Sequence, residues 1–162
     1  MPLDAMRKSE EETRFFLENL PIFASLNVDE LSVLARHMSY IQLQRGEYLF
    51  VEGDQGTFMG FVVNGLLEVQ KRSETGENIT LARLTKGSSI GEMALIDKST
   101  RSATVIARQA AIIITLADRG FELLANKYPA LAIKVIRKIA RLMSLNMRRT
   151  SSKLADLMQT SQ

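Results

Sequence analysis

The residues able to do chemistry gather in one stretch, Ser89 to Thr104. Ile90, Gly91 and Glu92 lead into a run of helical character, Met93-Ala94-Leu95-Ile96. Arg101 follows, with Ser102 and Ala103 directly after it. Gly91 lets the backbone approach a ligand closely, or take a conformation that a Cβ forbids. The N–H groups at the start of a helical turn have no internal partners, so those of Met93 and Ala94 suit an anion. Arg101 offers a planar fork to phosphate oxygens. Ser102 adds a hydroxyl and Ala103 a further N–H. A carboxylate in contact with phosphate would repel it, so Glu92 makes sense as the acceptor for a sugar hydroxyl. Phosphate and sugar hydroxyl read together indicate a nucleotide.

Other chemistries find little support. The chain has 162 residues and no Cys, so neither a disulfide framework nor thiolate chemistry is available. His37 is the single His, which excludes the usual zinc constellations. Glu52-Gly53-Asp54-Gln55-Gly56 lacks the ligand spacing of a calcium loop and reads as a turn. No Ser–His–acid set can be assembled, so no catalytic residue and no metal site are expected, and the chain is not read as an enzyme. The start, Met1 to Lys8, lacks the apolar core of a signal peptide, and no apolar run reaches membrane-spanning length. A cytoplasmic protein without a membrane partner is expected.

Elements on both sides must position this stretch. Ser9 is read as the cap of a first helix, with Glu12 completing the box and Phe15, Phe16, Leu17 and Leu20 as its apolar face. Pro21 ends it, and Ile22-Phe23 reads as a packing anchor. Asn27 or Asp29 starts a second helix carrying Leu31, Leu34, Ala35 and Met38. The period then changes to two. Strands are expected over 40–44, 47–51, 58–63, 66–71, 79–84, 104–107 and 110–116, with Asn64-Gly65 as a tight hairpin turn. About eight short strands with regular turns read as a jelly-roll β-barrel, so the fold class is mainly β with flanking α. The organisation expected is N-terminal helices over 1–38, the barrel over 39–117 enclosing the 89–104 stretch, C-terminal helices over 118–150 and a tail over 151–162.

Asp118 caps a short helix, and Pro129 opens a long one. Leu131, Val135, Ile139, Leu142 and Asn146 recur at coiled-coil spacing along it. Two packings stay open for this stripe: a homodimer seam, or burial against the chain's own barrel. Thr150-Ser151-Ser152 is expected to interrupt the pattern. From Lys127 to Lys153 there is no acidic residue, whereas basic ones recur. That run reads as a solvated face, because aromatic side chains able to stack on bases are absent beyond Tyr128.

The stretch resembles the phosphate-binding cassette of the cyclic nucleotide-binding domain family. That family includes the catabolite activator protein and the regulatory subunits of protein kinase A. Gly91, Glu92, Met93, Ala94 and Leu95, then Arg101, Ser102 and Ala103, fill its pattern, and the resemblance extends over roughly residues 15 to 145. It implies that Glu92 binds a ribose 2′-hydroxyl and Arg101 the cyclic phosphate. It also implies an apolar wall for the base, for which Leu81 is the candidate, and places Asn146 near the base-contacting segment of the C-terminal helix. Ser102 lies between the Ala that accompanies cAMP and the Thr that favours cGMP in the family. The expected ligand is cAMP, with cGMP as the alternative, and no cofactor is implied.

The reading at this stage is a stand-alone cyclic nucleotide sensor acting through its C-terminal helix on an unidentified protein effector. A helix-turn-helix domain and DNA binding are not expected. The competing reading is a ligand-free interaction or oligomerisation module that uses the basic helix.

Overall fold

The structure, a computed structural model, describes residues 3–161, with side-chain environments from Ser9 to Ser161. Helix α1 spans Leu3–Glu18, a 3-10 turn spans Pro21–Phe23 and helix α2 spans Val28–Arg36. Strands β1 (Ser39–Leu43), β2 (Tyr48–Phe50), β3 (Phe58–Asn64), β4 (Leu67–Arg72), β5 (Asn78–Leu84) and β6 (Ser89–Ile90) follow. A short helix α3 (Glu92–Asp97) precedes β7 (Thr104–Ala107) and β8 (Ala111–Ala117), and α4 (Asp118–Lys127) and α5 (Pro129–Thr160) complete the order.

The strands form two four-stranded sheets, ordered β1-β8-β3-β6 and β2-β7-β4-β5. All pairs are antiparallel. The connectivity is that of a jelly roll, but the expected barrel does not close. The helical run at 93–96 forms α3 between β6 and β7, and β6 pairs with β3 through only Ile90 and Ser89. The two sheets therefore remain a sandwich with separate edges.

Three layers result. Val62 and Ile113 point into the space between the sheets with Leu43, Leu67 and Val105. Met59, Phe61 and Leu116 face the helices and pack with Leu17, Leu34 and Val135. Burial on both faces explains the unbroken apolar run of β8. Phe23 in the 3-10 turn meets Phe61 edge-on at 5.6 Å, as its anchoring role requires. The Asn27 side chain caps α2 by accepting from the Glu30 N–H at 2.8 Å.

Three local expectations are corrected. Helix α1 begins at Leu3, so Ser9 lies inside it, and its carbonyl accepts from the Thr13 hydroxyl. Asp118 is the first residue of α4 and caps nothing with its side chain; Ala117 holds the cap position. Helix α5 runs unbroken through 150–152, where the Thr150 and Ser152 hydroxyls bond back to carbonyls four residues earlier. Its 32 residues give a rod of about 48 Å. Leu131, Val135 and Ile139 are buried in the chain's own core, whereas Met147, Leu154 and Leu157 are exposed.

On the outer face of the second sheet, Glu68 is buried at 6% exposure. It accepts from Arg108 at 2.9 Å, Gln70 at 2.7 Å and Thr80 at 3.0 Å. The hydrogen bond from Arg108, then that from Gln70, holds its pKa down at about 2. A depressed carboxylate contributes stability above its unfolded value and loses it as pH falls towards the folded value. The difference in urea midpoint between the parent and Glu68→Gln should therefore be full above about pH 4.5 and shrink towards pH 2. A difference that stays constant across this range would contradict the assignment.

Candidate functional site

A cavity of about 230 Å³ opens between the second sheet and α3. Its polar lining comes from Glu92, Ser99, Thr100, Arg101 and Ser102, and its apolar wall from Phe50, Val69, Leu84 and Val105. The structure brings Ile90, Gly91, Glu92, Met93, Ala94, Arg101, Ser102 and Ala103 together around it.

Arg101 is its deepest polar group, 5% exposed. The backbone fixes it first. Its N–H donates to the Asp54 carbonyl at 2.7 Å, and its carbonyl accepts from the Gly53 N–H at 2.9 Å. The Gly-rich turn thus serves as the brace for the arginine. Gly56 is needed there because a Cβ would lie 2.3 Å from that of Ala94. The guanidinium sits over the Phe50 ring at 3.9 Å and near the Phe58 ring at 4.6 Å. Such stacking suits a weakly hydrated planar cation.

Two Arg101 nitrogens donate to carbonyls: Nη2 to Phe58 at 2.7 Å and Nη1 to Gly91 at 3.4 Å. Nε is buried without a partner. Among the described residues, no carboxylate forms a salt bridge with this guanidinium. Burial lowers its pKa, and the nearby Asp54 charge opposes that shift. A buried cation with donor capacity to spare is a site for an anion.

Gly91 holds α3 in place before the arginine. Its φ of 70° is left-handed, and a Cβ there would lie 2.3 Å from Arg101 Nη1. Glu92 follows as the first helical residue, and its Oε1 accepts from Asn146 Nδ2 on α5 at 2.9 Å. The Ser102 carbonyl accepts from Lys71 at 2.7 Å, and Lys71 pairs with Glu52 at 3.2 Å. The Arg72 N–H and then Lys71 lower the Glu52 pKa. These contacts tie the segment after Arg101 to β4.

Two candidates lie elsewhere. Leu81 is 54% exposed and outside the cavity lining. Val69 pairs with Ala82 and Gln70 with Thr80, so the register shift leaves Leu81 as the unpaired residue of a bulge. Leu84 on the same strand and Val69 opposite supply the apolar wall instead. Asn146 reaches Glu92 and is not part of that lining. The Phe50 and Phe58 platform was missed in the sequence. The only available signal was two phenylalanines flanking the 52–56 turn, which β-strand patterning already explained.

Replacing Gly91 by Ala should destabilise the protein by about 1–3 kcal/mol through its left-handed backbone and the clash with Arg101. Urea unfolding of Gly91→Ala tests this, and an unchanged midpoint would contradict it.

The geometry has counterparts among known proteins. Residues 40–128 match the family described as the cyclic nucleotide-binding domain. The chain is 30% identical over 111 residues to the cAMP-dependent protein kinase regulatory subunit of Mycosarcoma maydis, covering 65% of this chain and 21% of that protein. It is 30% identical over 128 residues to glutaminase 1 of Bradyrhizobium diazoefficiens, covering 79% of this chain and 20% of that enzyme. A cyclic nucleotide-binding domain from Methylobacillus flagellatus superposes with a TM-score of 0.80 at 25% identity, covering 90% of this chain and 82% of the other. The chain spans about a fifth of the length of these two curated relatives.

Proposed function

The chain belongs to the cyclic nucleotide-binding domain family, and from that premise we propose that it binds cAMP and reports binding through the position of α5. The observation that carries this reading is Arg101: a buried guanidinium, unpaired at Nε, at the base of a cavity walled by Val69 and Leu84. A cyclic phosphate supplies the missing counter-charge and acceptors. The ribose 2′-hydroxyl donates to Glu92, and the base lies against the apolar wall. The cavity volume of about 230 Å³ lies below the roughly 300–1,000 Å³ usual for small-molecule sites, so binding goes with widening of its mouth.

Asn146 gives that widening a route to α5. Its Nδ2 donates to Glu92, the group assigned to the ribose. A ribose hydroxyl bound there competes with Asn146 for the Glu92 carboxylate, and a weakened Asn146–Glu92 bond loosens α5 from α3. Met147, Leu154 and Leu157, exposed on the distal half of α5, form the surface offered to an effector or to a second copy of the chain. Ser102 lines the cavity, and the preferred ligand on this reading is cAMP, with cGMP weaker.

Calorimetric titration with cAMP and cGMP tests the assignment. The parent should bind cAMP more tightly than cGMP. Arg101→Ala should lose at least about tenfold in affinity, because hydrogen bonds to charged groups contribute roughly 1.5–3 kcal/mol each. Equal affinity in parent and variant would remove Arg101 from the site. Asn146→Ala should strengthen cAMP binding by up to about tenfold if it acts as the latch described. A weakened complex would instead make Asn146 a contact to bound nucleotide.

A further inference from the structure

A second cavity, of about 610 Å³, lies between α5, the 3-10 turn and the β6 edge. Its volume falls within the roughly 300–1,000 Å³ of small-molecule sites. One wall is apolar: Leu20, Pro21, Ile22 and Phe61. The other is a face of α5 on which Leu142 and Leu145 alternate with Lys138, Arg141 and Arg149. No carboxylate lines the cavity. Among the described residues, Arg141 and Arg149 form no salt bridge, and Lys138 donates only to the Ser25 hydroxyl. Leu20, Pro21 and Gly87 also line a neighbouring hollow that holds Glu12, Phe15 and Phe16.

We propose that this cavity is a binding site for an anionic amphiphile, a long-chain fatty carboxylate. Its carboxylate meets Arg141 and Arg149, and its chain lies along Leu142, Leu145, Pro21 and Ile22. Charge complementarity sets the head group, because three cations share one wall with no acid opposite. A guanidinium fork matches a carboxylate. The opposite wall sets the tail. A peptide would bring backbone N–H and C=O groups that need partners. Ser25 and Ser89 are the only hydroxyl side chains in the lining, and an acyl chain makes no such demand. The inference does not rest on the nucleotide site, since neither Arg101 nor Glu92 lines this cavity.

Calorimetric titration of the full chain with dodecanoate, below its micelle concentration, tests the proposal. One saturable site per chain is expected. The methyl ester of the same acid, which keeps the tail and lacks the charge, should bind at least about tenfold more weakly. The Arg141→Gln/Arg149→Gln double variant should lose a similar factor. Leu145→Glu, at a position 40% exposed on the helix and therefore tolerant of a polar side chain, should lose binding with an unchanged melting curve. Absence of saturation, equal affinity for the ester, or full affinity in both variants would overturn the proposal. Binding confined to anionic lipid vesicles would also overturn it, by identifying a membrane-facing charge patch instead.

Discussion

The arrangement depends on one constraint: a guanidinium held out of water without a paired carboxylate. Burying such a charge is costly unless other groups replace its hydration. Here the rings of Phe50 and Phe58 and the carbonyls of Phe58 and Gly91 do so in part, and Nε remains unpartnered. Much of the surrounding sequence follows from holding that charge. Gly91 must lack a Cβ to admit it, Gly56 must let its loop approach Ala94, and the 53–54 backbone must brace Arg101 from behind. These residues hold a cation whose Nε–H has no partner within the described residues.

The rest of the fold links that charge to a distant rod. Helix α3 carries Leu95 into the helical layer while its first residue, Glu92, points to Asn146. The first half of α5 is anchored in the same layer by Leu131, Val135 and Ile139. The second half projects beyond the sandwich with exposed apolar residues. On the proposed reading, a movement at α3 bears on α5 between its anchored first half and its exposed second half. The two core layers meet at β3 and β8, and the inter-sheet core uses different side chains from the layer that holds α5.

Much of this was legible in the sequence because the signals were local. Glu92 and Arg101 sit on one continuous stretch, Asn27 caps the helix it precedes, and the change from helical to alternating period marks the first strand. The errors arose where long-range pairing decides. Closure into a barrel depends on whether the edge strands of the two sheets pair with each other, which the spacing of strands along the chain does not reveal. Leu81 is displaced by a bulge in the pairing of β5 with β4. The 150–152 segment was read by composition, but hydroxyls bonding back to the helix let it continue. The Phe50 and Phe58 platform spans a turn, and only the folded chain brings the two rings to one guanidinium.

On the proposed function, Arg101 offers its unpartnered Nε–H to a cyclic phosphate. The most direct measurement is the NMR signal of the Arg101 Nε–H group during titration with cAMP, assigned by its loss in Arg101→Lys. The account predicts a large downfield shift and slowed solvent exchange at saturation, as Nε–H gains an acceptor. Saturating cAMP that leaves this signal unmoved, while other resonances report binding, would contradict it.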